Sequence, residues 1–383
     1  MGIFSEYLDQ NLDWPSLVSK RKEQLSEISR LRGGRAVLTF AAALTKQAPI
    51  QIDYDDRIHF IDQISNLSGD KIDIILETPG GIAEVVEDLV EHTRSKFSEV
   101  AIIIPGYAKS AGTIMAMAGD EILMDSTSAL GPIDAQMYQN NKRFSAHAFL
   151  EGLDKIKAEV TSTGVLNRAY VPMLQLLSPG EIQECENAMA FSQALVTDWL
   201  SKYKFKFWNI HSSTGLPVTE AEKKERAAEI AKILCDHGRW LTHGRSITIE
   251  DLTDMGLKIT DYSRNAELAE AIHRYYTLLK MSFDKTMIYK IYETPTSQLY
   301  KFASPPGIPL LPQTPDHVVI DLECPNCKTK SKIQANLKEG IVLKEGAINF
   351  PKDNLFICPT CKNRIDLSSF RGQLESQTKK KVI

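Results

Sequence analysis

Two Cys-x-x-Cys pairs near the C-terminus constrain the fold of this chain more than any other feature. They are Cys324-Pro-Asn-Cys327 and Cys358-Pro-Thr-Cys361, and 30 residues separate them. Four thiolates at this spacing can close a tetrahedron around Zn²⁺. A structural zinc site has four protein ligands and leaves no coordination position for a substrate. The sequence therefore predicts a small zinc ribbon with structural Zn, and any catalytic activity has to lie in the larger part of the chain.

The composition of the 383 residues is that of a soluble globular protein. The net charge of −4 provides no global basic field for binding nucleic acid. Only Cys185 and Cys235 lie outside the two pairs, which fits a reducing compartment better than a disulfide scaffold. No uncharged apolar run approaches the ~20 residues of a membrane span, and the N-terminus lacks the pattern of a signal peptide. We therefore expect a cytoplasmic protein without a membrane segment.

Strand and helix signals alternate along the first third of the chain. Short apolar runs predict strands at 35–40, 71–76, 100–105 and 121–124. Segments with apolar residues at helical spacing lie between them. This alternation is typical of an α/β fold with a parallel sheet and right-handed crossovers.

Glycine and proline clusters indicate where this α/β region ends. Gly33-Gly34 ends a helical N-terminal stretch, and the prolines that begin at Pro305-Pro306 indicate a stiff linker. The predicted organisation is an N-terminal helical segment (1–34), an α/β core (35–262), a helical extension (263–303), a Pro-rich linker (304–315), the zinc ribbon (316–370) and a polar tail (371–383).

Two turns that follow strands carry the residues that could do chemistry. In the first, the paired glycines Gly80 and Gly81 expose backbone amides before a helix, where an oxyanion is favoured. In the second, Ser110 precedes Ala111 at the start of another helix. Taken alone, each has a plain explanation as a strand-to-helix turn or an N-cap serine. Because the turns follow successive strands, they can together place an oxyanion hole beside a nucleophile.

At these residues the chain resembles the Clp/crotonase superfamily, and most closely its serine dehydrogenase proteinase (SDH) family of Clp-fold serine peptidases. The matching stretches are 75–81, 107–113, 119–122 and 128–136, and the resemblance covers about residues 35–262. It implies a Clp/crotonase-like ββα spiral core and a serine endopeptidase that hydrolyses protein or peptide substrates. Relatives assemble into rings or multimers, so the resemblance also implies a homo-oligomer.

The resemblance implies roles for individual residues. Ser110 matches the nucleophile, and Ala111 with Gly81 or Gly80 matches the oxyanion hole. In Clp proteases a histidine follows the nucleophile along the chain, and Asp134 stands at that place here. Clp proteases have their aspartate just before the last helix of the core, and here His243 stands before the matching helix. The predicted triad is therefore Ser110, Asp134 and His243, with aspartate and histidine exchanged along the chain.

Three alternatives remain open. A serine–lysine dyad could use Lys109 or Lys142, since burial can depress the pKa of a lysine enough to make it a base. The chain could be a catalytically inactive Clp-like scaffold that binds a peptide, protein or nucleic acid through its mildly basic ribbon. It could also be an acyl-CoA-binding enzyme of the crotonase type, which would use the same oxyanion hole without a serine nucleophile.

Overall fold

The computed structural model of this protein describes residues 2–139, 142–211, 214–303, 316–378 and 380–383, with the side chains of 139, 142, 143 and 376–378 left out. The chain forms two compact units, Met1–Ala303 and Ser304–Ile383, which we call the core unit and the C-terminal unit. The predicted linker, 304–315, lies outside the described residues.

Short strands make up the sheets of the core unit. They are β1 (Ala36–Ala42), β2 (Lys71–Glu77), β3 (Glu99–Ile103), β4 (Tyr107–Ala108), β5 (Glu121–Met124), β6 (Ala129–Leu130), β7 (Gln136–Gln139), β8 (Lys142–Ser145), β9 (Thr260–Asp261), β10 (Ile288–Glu293) and β11 (Gln298–Phe302). In the described residues the largest sheet has the order β11-β10-β1-β2-β3-β5-β9. The strands from β1 to β9 in this order are parallel, whereas β10 and β11 run antiparallel at one edge.

Helices cover both faces of this sheet. They are α1 (Ile3–Asp9), α2 (Trp14–Leu31), α3 (Asp56–Ser65), α4 (Ala83–Lys96), α5 (Ala111–Met117), α6 (Ala146–Thr163), α7 (Val171–Leu174), α8 (Pro179–Trp199), α9 (Glu220–Cys235), α10 (His237–Trp240), α11 (Ile249–Asp254) and α12 (Ala266–Lys285). Helix α8 continues into a π turn at Leu200–Lys204, and 3₁₀ turns lie at Arg168–Tyr170 and Tyr262–Arg264.

The central strands are buried on both faces, which explains their nearly continuous apolar sequences. Alternate residues of β2 point into different cores. Leu76 packs in the larger core together with residues of α4 and α5, whereas Ile75 packs in a second core together with residues of α2 and α12. The α/β fold class with a largely parallel sheet that the sequence predicts is confirmed.

The segment expected to be a helical extension, 263–303, is only partly helical. After α12 it returns as β10 and β11, and β10 pairs antiparallel with β1. A fully buried ion pair lies beside this edge: Arg21 Nε on α2 is 2.9 Å from Glu293 Oε2 on β10. The last part of the predicted extension therefore belongs to the sheet, because β1 would otherwise expose its unpaired backbone edge.

In its described residues, 316–378 and 380–383, the C-terminal unit has two small sheets and one helix. Its elements are β12 (His317–Glu323), β13 (Lys330–Asn336), β14 (Ala347–Asn349), β15 (Leu355–Ile357), β16 (Arg364–Asp366) and α13 (Ser368–Thr378). Strands β12, β13 and β14 form one sheet, and β15 pairs with β16. A compact apolar core lies between them, with Ile333, Phe350 and Phe356 at its centre.

The predicted polar tail, 371–383, is instead part of this unit. It includes most of α13, and the side chain of Val382 is buried in the core of the unit. The Ile383 amide donates to the Asn336 carbonyl at 2.9 Å. None of the helices in the described ranges combines the length and the apolar composition that crossing a bilayer requires.

Candidate active site

Ser110 lies in the connection between β4 and α5 in a strained backbone conformation. Its φ of 52° and ψ of −119° fall in a region that costs a residue with a side chain about 1–3 kcal/mol. Although it occupies the N-cap position of α5, its side chain makes no capping hydrogen bond. Strain of this kind persists where the surrounding structure fixes the residue, and it is concentrated at functional sites. The plain explanation of Ser110 as a capping serine therefore does not hold.

The turn that carries Gly80 and Gly81 lies against the turn that carries Ser110. Gly80 has φ of +97°, and a Cβ atom on it would fall 2.6 Å from Ser110 Cβ and 3.0 Å from the Ala111 amide nitrogen. Gly81, with φ of +156°, packs against the backbone of Ile52. The structure therefore brings Gly80, Ser110 and Ala111 together, and any side chain at position 80 would push the turns apart.

Backbone hydrogen bonds hold these turns in register. The Thr78 amide donates to the Tyr107 carbonyl at 2.9 Å, and the Lys109 amide donates to the Thr78 carbonyl at 3.0 Å. The Thr78 hydroxyl in turn accepts a hydrogen bond from the Gly80 amide at 3.1 Å. The chain between Thr78 and Gly80 is thus fixed relative to the backbone that leads into Ser110.

Asp134 and His243 form a hydrogen-bonded pair. His243 Nδ1 lies 2.7 Å from Asp134 Oδ1, and the Asp134 side chain is fully buried. A neutral imidazole that donates from Nδ1 keeps Nε2 as an acceptor. That Nε2 atom is buried and has no hydrogen-bond partner among the described residues. The arrangement is that of a base whose tautomer is set by a carboxylate.

A second histidine, which the sequence analysis missed, shares the same carboxylate. His237 Nδ1 lies 2.9 Å from Asp134 Oδ2, and Gln136 Nε2 donates to the same oxygen at 2.8 Å. Burial raises the pKa of Asp134, but hydrogen bonds from His243 and His237 and the charge of His243 outweigh that effect. The pKa of Asp134 is therefore lowered. The available signal was the presence of two histidines within the short stretch 237–243 that follows α9.

Lys109 donates its hydrogen bonds to groups other than the Ser110 hydroxyl, the partner that a serine–lysine dyad would need. Its ammonium group donates to the Leu130 carbonyl at 2.9 Å, the Arg245 carbonyl at 3.1 Å and Ser246 Oγ at 3.0 Å. Burial lowers the pKa of Lys109 to about 8. The lysine thus ties the turn that carries Ser110 to the segment that follows His243. The side chain of Lys142, the other candidate base, lies outside the described residues.

Ser110 and Ala111 line a cleft of about 550 Å³. One wall is formed by the first residues of β7 and the chain just before them. The apolar lining consists of Ile82, Ala83, Ile114, Ile133, Ala135, Met137, Ala188 and Phe191. A cleft of this size can hold several side chains of an extended peptide.

Comparison with known proteins identifies the family of this chain. A family model described as ClpP-like SDH-type serine proteinase matches residues 7–168, a range that contains Ser110 and Asp134. Uncharacterized protein MJ1495 of Methanocaldococcus jannaschii is 31% identical over 248 residues, which are 63% of this chain and 72% of the relative. This chain belongs to the ClpP-like SDH-type serine proteinase family.

Other similarities are more distant. Uncharacterized protein MJ0137 of the same organism is 29% identical over 188 residues, which are 49% of this chain but only about half, 53%, of the relative. Two mutant structures of the 1510-N membrane-bound stomatin-specific protease, the second with a substrate peptide, have TM-scores of 0.33 and 0.32 and identities of 18% and 16%. The two matches span 58% and 57% of this chain and 79% and 75% of the chains in those structures. At this level of similarity we transfer nothing from them.

The family match ends well before the four cysteines, but these also come together in the structure. Their Sγ atoms all lie within 4.8 Å of one another, with 3.6 Å between Cys324 and Cys361 and between Cys327 and Cys358. A tetrahedral Zn²⁺ with Zn–S bonds of about 2.3 Å requires sulfurs about 3.8 Å apart. The cluster therefore fits a single metal ion.

The two Cys-x-x-Cys turns have matching backbones. In the first, the Lys328 amide donates to the Cys324 carbonyl at 2.9 Å, and in the second the Lys362 amide donates to the Cys358 carbonyl at 3.0 Å. Lys328 and Lys362 each have positive φ, at 60° and 61°. This repeated geometry turns both sulfurs of each pair toward one point, as metal coordination requires.

Proposed function

We propose that this member of the family is an active serine endopeptidase that cleaves protein or peptide substrates. The observation that carries the proposal is the strained Ser110, which makes no capping hydrogen bond, packs directly against Gly80 and lines a cleft of both polar and apolar residues. The His243–Asp134 hydrogen bond supports it, because it leaves a buried imidazole nitrogen free to accept a proton.

In the proposed mechanism His243 Nε2 accepts the proton of Ser110 as the serine oxygen attacks the scissile carbonyl. The backbone amides of Ala111 and of Gly80 or Gly81 donate to the developing oxyanion. The imidazolium then gives its proton to the leaving amine. Water, activated by the same imidazole, hydrolyses the acyl-enzyme and restores Ser110. Asp134 holds the imidazole tautomer and stabilises its charged form throughout.

We further propose that the four cysteines hold one Zn²⁺ with a structural role. Four thiolates fill the tetrahedral coordination of the ion, so no position would remain for substrate or water. The ion would cross-link two turns that otherwise depend on a small core. The proposed peptidase steps do not involve it.

A fluorophosphonate probe, which reacts with activated serines, tests the peptidase proposal. We expect the wild-type chain to be labelled at Ser110 and to cleave a peptide library, and we expect Ser110→Ala to lose both activities. The matched control is Ser126→Ala, since Ser126 is an exposed serine that does not line the cleft.

Each other outcome points to a different function. Peptide turnover that persists in Ser110→Ala would refute the mechanism. A folded wild-type chain that is neither labelled nor active would favour the scaffold alternative. Acyl-CoA binding that survives Ser110→Ala, without peptide cleavage, would favour the crotonase-type alternative.

A further inference from the structure

Glu77 is a buried carboxylate that links the two turns of the candidate site. It is the last residue of β2, directly before the turn that carries Gly80, and its side chain is fully buried. Its Oε2 accepts a hydrogen bond from the Tyr107 amide at 2.9 Å. Tyr107 begins the stretch that leads into Ser110. One side chain therefore joins the glycine turn to the serine turn.

Helix α12 holds this carboxylate from the other side. Glu77 Oε1 accepts the Tyr276 hydroxyl at 2.9 Å, and Lys280 Nζ lies 3.5 Å from the same oxygen. Gly106 makes this approach possible, because a Cβ atom there would overlap the Tyr276 hydroxyl and would lie 2.6 Å from Glu77 Oε2. Burial raises the pKa of Glu77.

The position of the serine turn matters because catalysis depends on small distances. A displacement of about 1 Å in a reacting group can cost about 100-fold in rate. The Tyr107 amide is held by the buried carboxyl group of Glu77, which is itself held by Tyr276 and Lys280. A change at Glu77 would therefore be transmitted to Ser110 through only three residues of backbone.

We propose that Glu77 is a positioning residue that sets the distance between the oxyanion turn and Ser110, and that Tyr276 and Lys280 fix it from α12. This inference rests on the proposed peptidase function. Glu77 does not line the cleft that contains Ser110, so its effect would be exerted through the backbone at Tyr107.

The chain offers a matched control in Glu293. It is also a fully buried glutamate at the end of a strand, and it is bound by Arg21 and Tyr275 rather than by either turn. If only the burial of a carboxylate mattered, Glu77→Gln and Glu293→Gln would have the same effects on stability and on activity.

Steady-state kinetics of the full chain separate positioning from stability. We expect Glu77→Gln and Tyr276→Phe to lower kcat by about 10- to 100-fold while KM changes by less than about 3-fold. The Ki of a peptide boronate, which mimics the tetrahedral intermediate, should rise in proportion to the loss in kcat/KM. Glu293→Gln should lower Tm but leave kcat and this Ki within about 2-fold of the wild type. A Glu77→Gln variant with a lower Tm and unchanged kcat and Ki would overturn the proposal.

Hydrogen exchange of the same variants gives a readout that does not need activity. We expect Glu77→Gln to speed exchange in peptides covering 78–83 and 106–113, and Glu293→Gln to leave these peptides unchanged. An inactive, unlabelled wild type would refute the proposed function, whereas unchanged exchange in both peptides of Glu77→Gln would refute the role of Glu77.

Discussion

His243 and Asp134 lie 109 residues apart in the sequence, and a 2.7 Å hydrogen bond joins His243 Nδ1 to Asp134 Oδ1. The pair is held by two unrelated pieces of structure. Asp134 follows β6 in a buried stretch, whereas His243 lies in an irregular segment after α10 that includes Leu241 with φ of 66°. Catalytic triads on unrelated folds differ in chain order but keep this geometry, so an aspartate before a histidine is compatible with the proposed roles.

The two imidazoles on Asp134 should differ in their importance. We expect His243→Ala to slow fluorophosphonate labelling of Ser110 by about 10³-fold or more, because it would remove the proposed base. His237→Ala, which leaves the His243–Asp134 bond in place, should slow labelling by no more than about 10-fold. Second-order labelling rates measured at one pH check this prediction. Equal losses in the two variants would contradict the assignment of the base.

Gly80→Ala should abolish activity for a steric reason. The new methyl group would lie 2.6 Å from Ser110 Cβ, so the two turns would have to separate. The control is Gly164→Ala, since Gly164 also has positive φ, at +70°, but no atom within 4 Å of the added carbon. Both variants should lose about 1 kcal/mol or more of stability from backbone strain, and Gly80→Ala should lose more because of the overlap, but only Gly80→Ala should lose labelling at Ser110. Thermal unfolding and probe labelling of the same samples provide the test.

Stability should depend on pH through His273. The hydrogen bond to Asp125 raises the pKa of His273 above its usual 6.5. The group binds protons more tightly in the folded state, so its contribution is fully present below pH 6.5 and is lost as the pH rises through the raised pKa. The Tm difference between wild type and His273→Gln should therefore be larger at pH 5.5 than at pH 9. An equal Tm gap at both pH values for His273→Gln would contradict the prediction.

Metal content should depend on the four clustered cysteines and not on the other two. We expect about one zinc ion per purified wild-type chain and almost none in Cys358→Ser, because a single hydroxyl is a poor replacement for a thiolate ligand. Cys185→Ser removes a buried thiol from α8 and should keep its zinc. Elemental analysis measures the ion, and limited proteolysis reports unfolding of the C-terminal unit. Full zinc content in Cys358→Ser would contradict the proposed site.

The sequence predicted those parts of the structure that depend on local patterns. The apolar runs of β2 and β3 and the glycine and serine turns have signals within a few residues of chain, and the resemblance added Asp134 and His243. The structure brings these two side chains together, while their catalytic roles and that of Ser110 stay predictions. The cysteine pairs were equally clear, because their spacing alone defines the geometry of a metal site.

Features that depend on distant contacts had no comparable signal. His237 became visible only because folding places it on Oδ2 of Asp134, the oxygen that His243 does not contact. Glu77 precedes the glycine turn in the sequence, but its link to Tyr276 spans 199 residues. The alternation of polar and apolar residues in β10 was compatible with a strand, yet its place beside β1 depends on a pairing that no local pattern encodes.

The place of β10 in the sheet has a consequence for biosynthesis. Arg21 and Glu293 meet across 272 residues, so the first helices and the last strands of the core unit close the same edge. While the chain is being made, β1 lacks one neighbour until residue 293 has been added, long after Ser110, Asp134 and His243. Pairings between such distant segments form late and slowly. A nascent chain therefore carries all three proposed catalytic residues before it has the complete sheet that holds them in place.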